Sequence, residues 1–183
     1  MCREGLNSTV NFCKQYGVAY KQCGKLIVAT NSAEEARLDT LHARAYANGL
    51  KLPRVSGAEL HELEPNITGM AALLSSETGI VNYQEMSAKL AELVIVKGAE
   101  IVLGSKVERI IEKTDFVEVG TQDLSWQAKK LIVCGGLQAD RLAKLAGLQV
   151  DFRIIPFRGE YFKLPADKNS IISHLIYPVP DPS

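Results

Sequence analysis

The run Lys130-Leu131-Ile132-Val133-Cys134-Gly135-Gly136-Leu137-Gln138-Ala139-Asp140-Arg141-Leu142 constrains the fold more than any other part of the chain. Residues 131 to 134 are apolar throughout, the pattern of a strand buried on both faces, as a central parallel strand is. Two glycines stand at its carboxyl end. Leu142, Leu145 and Ala146 then follow at helical spacing until Gly147 stops the helix. In open α/β sheets the carboxyl edge of the strands is where ligands sit, and glycine there lets the backbone approach a phosphate or ribose closely. Gly135 and Gly136 equally suit a tight strand-to-helix turn with no ligand, and spacing alone leaves both readings open.

The preceding segments agree with a layered α/β fold. A helix is expected from about residue 84 to 97, with Met86, Leu90, Leu93 and Val94 inward and Gly98 as its stop, and residues 100 to 103 follow at once as an apolar strand. Helix, glycine stop and short strand form the α-to-β half of a parallel unit. Residues 106–112, 116–119 and 124–127 read as further strands of antiparallel character. Toward the N-terminus, Leu6, Val10 and Cys13 lie on one stripe of a helix ended by Gly17, and residues 19–30 read as one or two strands. Ser32 with Glu35 and Ser56 with Glu59 are capping boxes. The first opens a helix carrying Ala36, Leu38, Leu41, Ala45 and Tyr46 to Asn48-Gly49. The second opens a short helix that Pro65 must end.

Composition closes off several function classes. Lys+Arg 21 balance Asp+Glu 21, so no excess of positive charge exists to drive binding to nucleic acid. No apolar run approaches the roughly 20 residues of a membrane helix. The N-terminal MCREGLNST has no signal-like apolar core, which makes a cytosolic location the simplest expectation. Cys2, Cys13, Cys23 and Cys134 are widely spaced, and His42, His61 and His174 are scattered, so neither a zinc site nor a disulfide framework is expected. The cysteines read as small buried apolar residues. His42 and His61 fall on polar helix faces.

Beyond Val150, residues 152–164 and 171–177 read as two strands. The chain then runs out in Pro178-Val179-Pro180-Asp181-Pro182-Ser183, a stiff turn of the kind that normally connects two elements. The expectation is a chain cut short.

Several runs together carry a resemblance. They are Cys2-Arg3-Glu4-Gly5, Cys23-Gly24-Lys25-Leu26-Ile27-Val28-Ala29-Thr30, Glu64-Pro65-Asn66-Ile67 and Thr78-Gly79-Ile80-Val81. More specific are Cys134-Gly135-Gly136-Leu137-Gln138-Ala139-Asp140-Arg141, Pro156-Phe157-Arg158-Gly159-Glu160-Tyr161-Phe162 and His174-Leu175-Ile176-Tyr177-Pro178-Val179-Pro180-Asp181-Pro182. The chain resembles the FAD-dependent oxidoreductases of the D-amino-acid-oxidase-like group, and within it the L-2-hydroxyglutarate oxidases and dehydrogenases. The family opens with a G-x-G-x-x-G turn and a helix whose N-terminus holds the FAD pyrophosphate, whereas this chain contains no G-x-G. It therefore reads as an internal fragment, inactive by itself and without tight retention of FAD.

The resemblance implies an α/β fold in which part of a Rossmann-like FAD domain is interleaved with a mixed-sheet, α+β substrate domain. Residues 1–17 and 84–150 would belong to the first, and residues 18–83 and 151–183 to the second. Val107 would read the adenine edge with its backbone N–H and C=O, and Cys134, Gly135 and Gly136 would line the adenosine-diphosphate side. Without the family, Val107 is a β-branched core residue. The substrate would be a small 2-hydroxy acid, and the electron acceptor oxygen or a quinone-linked carrier, with peripheral attachment at the inner face of a membrane as an alternative location. Arg158 is the best carboxylate clamp, since its planar guanidinium can hold a carboxylate through two bonds. The competing reading is a surface pair with Glu160, on the same face if the segment is a strand. Tyr161 and Tyr177 would donate hydroxyl hydrogen bonds to substrate, or else pack as aromatic core residues. His174 is the candidate general base. A truncated module that binds no cofactor and self-associates through exposed strand edges, or a related amino-acid oxidase, are the rival readings.

Overall fold

Strand β2 (Lys25–Ala29) organises the first of two compact units, which comprises residues 1–99 and 163–183. The computed structural model describes residues 2–181, the side chain of Cys2 excepted; the expected burial of Cys2 and the final Pro182-Ser183 lie outside the described residues. Alternation along β2 sends Leu26 and Val28 to one face and Ile27 and Ala29 to the other. Strand β3 (Arg54–Ser56) and strand β4 (Ala71–Ser75) complete one side of a mixed sheet, and strand β9 (Leu175–Pro178) lies on the other, in the order β3-β4-β2-β9. β2 runs antiparallel to β4 and parallel to β9, with Ile27 opposite Tyr177.

Each sheet face has its own helical cover. Helix α3 (Gly57–Leu63) places Leu60 against Leu26, Val28, Val55 and Ala72. Helix α2 (Ser32–Ala47) places Leu38 against Ala29, Ala71, Leu73 and Val179 on the opposite face. A sheet buried on both sides explains why β2 and β4 read as continuous apolar runs. The capping box at Ser56 and Glu59 is present. The cap of α2 is Asn31 rather than Ser32. Its side chain accepts from Glu34 N at 2.9 Å, and Glu34 returns a carboxylate to Thr30 N at 2.7 Å, so the start lies one residue earlier than the Ser32–Glu35 pattern predicts. Tyr46, expected on the apolar stripe of α2, is exposed.

Helix α1 (Cys2–Tyr16) buries Cys13, and Gly17 ends it at φ 69°. Strands β1 (Tyr20–Lys21) and β5 (Ile80–Val81) pair as a short antiparallel ribbon. Helix α4 (Tyr83–Val96) starts at an Asn82 cap and has no buried residue. Of the inward stripe expected for it, Leu90 and Val94 are exposed and Met86 and Leu93 are only half-buried.

The second unit spans residues 100–162. Its ordered centre is an antiparallel meander of β6 (Arg109–Glu112), β7 (Val117–Gly120) and β8 (Ser125–Ala128), which fulfils the antiparallel reading. A 3-10 turn, Gly136–Gln138, leads into α5 (Ala139–Leu145). Three expected strands are absent among the described residues. Residues 100–103, 131–134 and 152–164 are extended or irregular and join no sheet. A strand exists only through hydrogen bonds to a neighbour, and these apolar runs have none alongside them. Ile132 is accordingly 84% exposed, and Cys134, expected buried, is also exposed.

Candidate cofactor cleft and the Glu64–His174 pair

The first part of β6 was expected to begin at residue 106, but the ladder starts at Arg109 and leaves residues 106–108 free of it. With Gly135, Gln138, Arg141, Leu142 and Leu145 they line a cleft of about 800 Å³ within the second unit. Val107 is half-buried there. Among the described residues neither its N–H nor its C=O has a protein hydrogen-bond partner, although the neighbouring Glu108 N–H is bonded to Gly120 O at 2.8 Å. A free donor and a free acceptor on one residue, beside the apolar side chains of Leu142 and Leu145, fit the edge and face of a planar heterocycle such as adenine. Lys106 and Arg141 add positive charge, their side chains donating to Glu108 Oε1 at 2.9 Å and to the side-chain Oε1 of Gln138 at 3.0 Å.

The glycine pair divides into two roles. Gly135 lines the cleft, and a Cβ there would collide with Leu142 Cδ1, so its bareness is what lets Leu142 close one wall. Gly136 takes φ 52°, a left-handed conformation that favours glycine, with open space where a Cβ would stand. Neither Gly136 nor Cys134 is among the cleft residues. Asp140, to which the sequence assigned no task, is buried at the start of α5 and accepts from Arg141 N at 2.8 Å and Ile154 N at 3.3 Å. These bonds, that from Ile154 foremost, hold its carboxyl below the usual range.

Arg158 and Tyr161 lie in the irregular segment of the same unit. Both are exposed, Tyr161 at 93%. Since no strand forms there, the alternation that would align Arg158 with Glu160 does not apply, and among the described residues the two make no ion pair. Tyr177 belongs to the first unit, half exposed on β9, with Lys25 Nζ 5.5 Å from its ring centroid.

His174 stands just before β9 and meets a residue the sequence reading left without a role. Glu64, the C-cap of α3, is only 1% exposed. Its Oε1 accepts from Ser173 N at 2.8 Å and His174 N at 2.7 Å, and lies 2.6 Å from His174 Nδ1. Burial pushes this carboxyl up, but the hydrogen bonds from the imidazole and the two backbone N–H groups outweigh it and hold it below the ordinary range. An ionised carboxylate only accepts, so Nδ1 carries the hydrogen of this contact. The only signal in the sequence was that Glu64 falls inside one of the family-like runs. Among the described residues no group of three or more His, Cys, Asp or Glu could hold a metal, and no helix is long and apolar enough to cross a membrane.

The sequence pattern of the FAD dependent oxidoreductases (DAO) matches residues 1–183. The chain belongs to that family. FAD is the cofactor of this family, and the N–H and C=O of Val107 in the cleft, unpartnered among the described residues, are of the kind an adenine edge requires. The L-2-hydroxyglutarate dehydrogenase of Escherichia coli K12 is 42% identical over 183 residues, covering 100% of this chain and 43% of the relative. The mitochondrial L-2-hydroxyglutarate dehydrogenase of Caenorhabditis elegans is 38% identical over 188 residues, again covering 43% of its own length. The chain thus spans less than half the length of these relatives. Among solved structures, L-proline dehydrogenase from P. horikoshii superposes with a TM-score of 0.80 at 15% identity, covering 96% of this chain and 48% of that one. FAD-bound L-alpha-glycerophosphate oxidase from Mycoplasma pneumoniae gives 0.74 at 24%, covering 89% and 44%. Both likenesses establish the fold of the DAO oxidoreductases and nothing about substrate.

Proposed function

We propose that this protein serves the FAD-dependent oxidation of L-2-hydroxyglutarate to 2-oxoglutarate. The observation that carries the reading is the similarity of the whole 183-residue chain to L-2-hydroxyglutarate dehydrogenases of bacteria and animals. FAD, when bound, takes up the two electrons released from the alcohol carbon. Val107 holds the adenine edge through its N–H and C=O, and Gly135 and Leu142 shape the wall beside it. Arg158 carries no ion-pair partner among the described residues, which leaves its guanidinium free for a substrate carboxylate. His174 accepts the hydroxyl proton, and the Tyr161 and Tyr177 hydroxyls donate to the substrate. Electrons leave to oxygen or to a quinone-linked acceptor.

The test is a substrate panel on the flavin-loaded holoenzyme: L-2-hydroxyglutarate, its D enantiomer, L-proline, glycine and L-alpha-glycerophosphate, with a dye as electron acceptor. The expected outcome is preference for L-2-hydroxyglutarate. Oxidation of an amine substrate in its place would overturn the reading in favour of an amino-acid oxidase.

A further inference from the structure

Oxidising an alcohol requires somewhere for the hydroxyl proton to go, and a neutral imidazole can take it only at the nitrogen that lacks a hydrogen. Which nitrogen that is depends on the bond made by the other one. At His174, Nδ1 points to Glu64 Oε1 at 2.6 Å. The same oxygen also takes Ser173 N and His174 N, so one buried carboxylate oxygen gathers three donors from two successive residues. The far edge of the ring is bounded by Gly24. An ideal Cβ there would stand 2.9 Å from His174 Cδ2 and 3.6 Å from Nε2, at a φ of 74° that already demands glycine. Leu175 N donates to Gly24 O at 3.0 Å, which fixes the backbone on both sides of the ring. The ring is therefore gripped at Nδ1 and along Cδ2. The side chain nevertheless keeps 20% of its surface open.

We propose that Glu64 is a positioning residue that locks His174 as the Nδ1–H tautomer and so leaves Nε2 to accept the substrate's hydroxyl proton. The proposal rests on the function proposed above. In the step, the C2–H electron pair and hydrogen pass to the cofactor and the O–H proton passes to Nε2, giving the 2-oxo acid, reduced FAD and an imidazolium. Electrons and protons balance with no further reactant. A carboxylate that served only to tie β9 to α3 would hold the same tautomer but would leave turnover unchanged in any variant that folds.

Glu64→Gln separates the two roles. Its amide oxygen has two lone pairs for the three donors, and its NH₂ would confront Ser173 N, so the tautomer preference relaxes. Imidazole ¹⁵N–¹H correlation spectra of the labelled chain at about pH 8, with His174 assigned through His174→Asn, should show a protonated Nδ1 and a bare Nε2 in the wild type and a mixture in Glu64→Gln. In the holoenzyme, Glu64→Gln should lower kcat by about 10-fold or more with little change in KM, and Glu64→Asp should recover part of the loss. A wild-type His174 protonated at Nε2 alone overturns the proposal. So does unchanged kcat in a folded Glu64→Gln enzyme; if that variant fails to fold, unchanged kcat in Glu64→Asp with a relaxed tautomer does the same. If the holoenzyme oxidises an amine instead, the substrate reading falls by itself, and kcat on that amine decides the role of Glu64.

Discussion

Glu64 Oε1 and His174 Nδ1 stand 2.6 Å apart across 110 positions of sequence. The contact ties the C-cap of α3 to the residue that enters β9, the one strand of the mixed sheet that runs parallel to its neighbour β2. A hydrogen-bonded carboxylate at this point compensates for the backbone N–H groups of Ser173 and His174, which precede the ladder.

Removing that carboxylate should be costly. Glu64→Leu leaves two backbone donors without an acceptor and is expected to destabilise the chain by roughly 2–3 kcal/mol, read from urea unfolding at neutral pH. The effect depends on pH. Because the folded-state pKa lies below the unfolded one, the Glu64 contribution is fully present above about pH 4.3 and fades as pH falls through the folded value. Wild type and Glu64→Leu should therefore converge in stability on acidification. Parallel curves down to acid pH would contradict the ionised state of Glu64.

Gly24→Ala puts a Cβ 2.9 Å from the His174 ring at φ 74°. Left-handed strain and displacement of the ring together predict a loss of about 1–2 kcal/mol. Hydrogen exchange should speed up at Leu175 N, whose acceptor is Gly24 O. A thermally neutral substitution would show that the ring is not held at that edge.

Gly135→Ala acts in the second unit. The new methyl must displace the flexible end of Leu142, a lining residue of the cleft, without backbone strain, because Gly135 has an ordinary φ of −78°. Overall stability should change by less than about 1 kcal/mol. Adenosine-diphosphate binding, followed by calorimetry, should weaken about 10-fold, equivalent to roughly 1.4 kcal/mol. Unaltered affinity would remove the cleft from consideration as the adenine site.

Arg158→Lys keeps the charge and loses the planar fork. On the proposed function it lowers kcat/KM for L-2-hydroxyglutarate by about 10-fold to 100-fold, equivalent to roughly 1.5–3 kcal/mol, and Arg158→Met lowers it further. Wild-type kcat/KM in Arg158→Met with normal flavin content would show that another group holds the carboxylate.

Ile132, Leu103, Phe157 and Phe162 are all strongly exposed, and Leu90 and Val94 on α4 are exposed as well. Apolar surface of this extent promotes association, so the chain is expected to form dimers or larger species in light scattering at high concentration. A monodisperse monomer would count against it.

Local signals fixed the elements whose stability is local. The Ser56–Glu59 box, Pro65 after α3 and Gly17 after α1 all mark boundaries that the structure keeps, because caps and breakers act within one turn of the backbone. Even there the competition between Asn31 and Ser32 was settled by which side chain reached Glu34 N. Residues 100–103, 131–134 and 152–164 have the composition of strands, and composition cannot supply a partner. The site shows the same division. Gly135 and His174 were legible as residue types inside family-like runs and Val107 through what the resemblance implies, whereas the lining by Leu142 and Leu145 and the grip of Glu64 on His174 were not. Sequence determines what a residue can donate, accept or tolerate in its own backbone. Which donor meets which acceptor across 110 positions is decided only when α3 and β9 pack on the same sheet, since a hydrogen bond depends on distance in space and carries no mark along the chain.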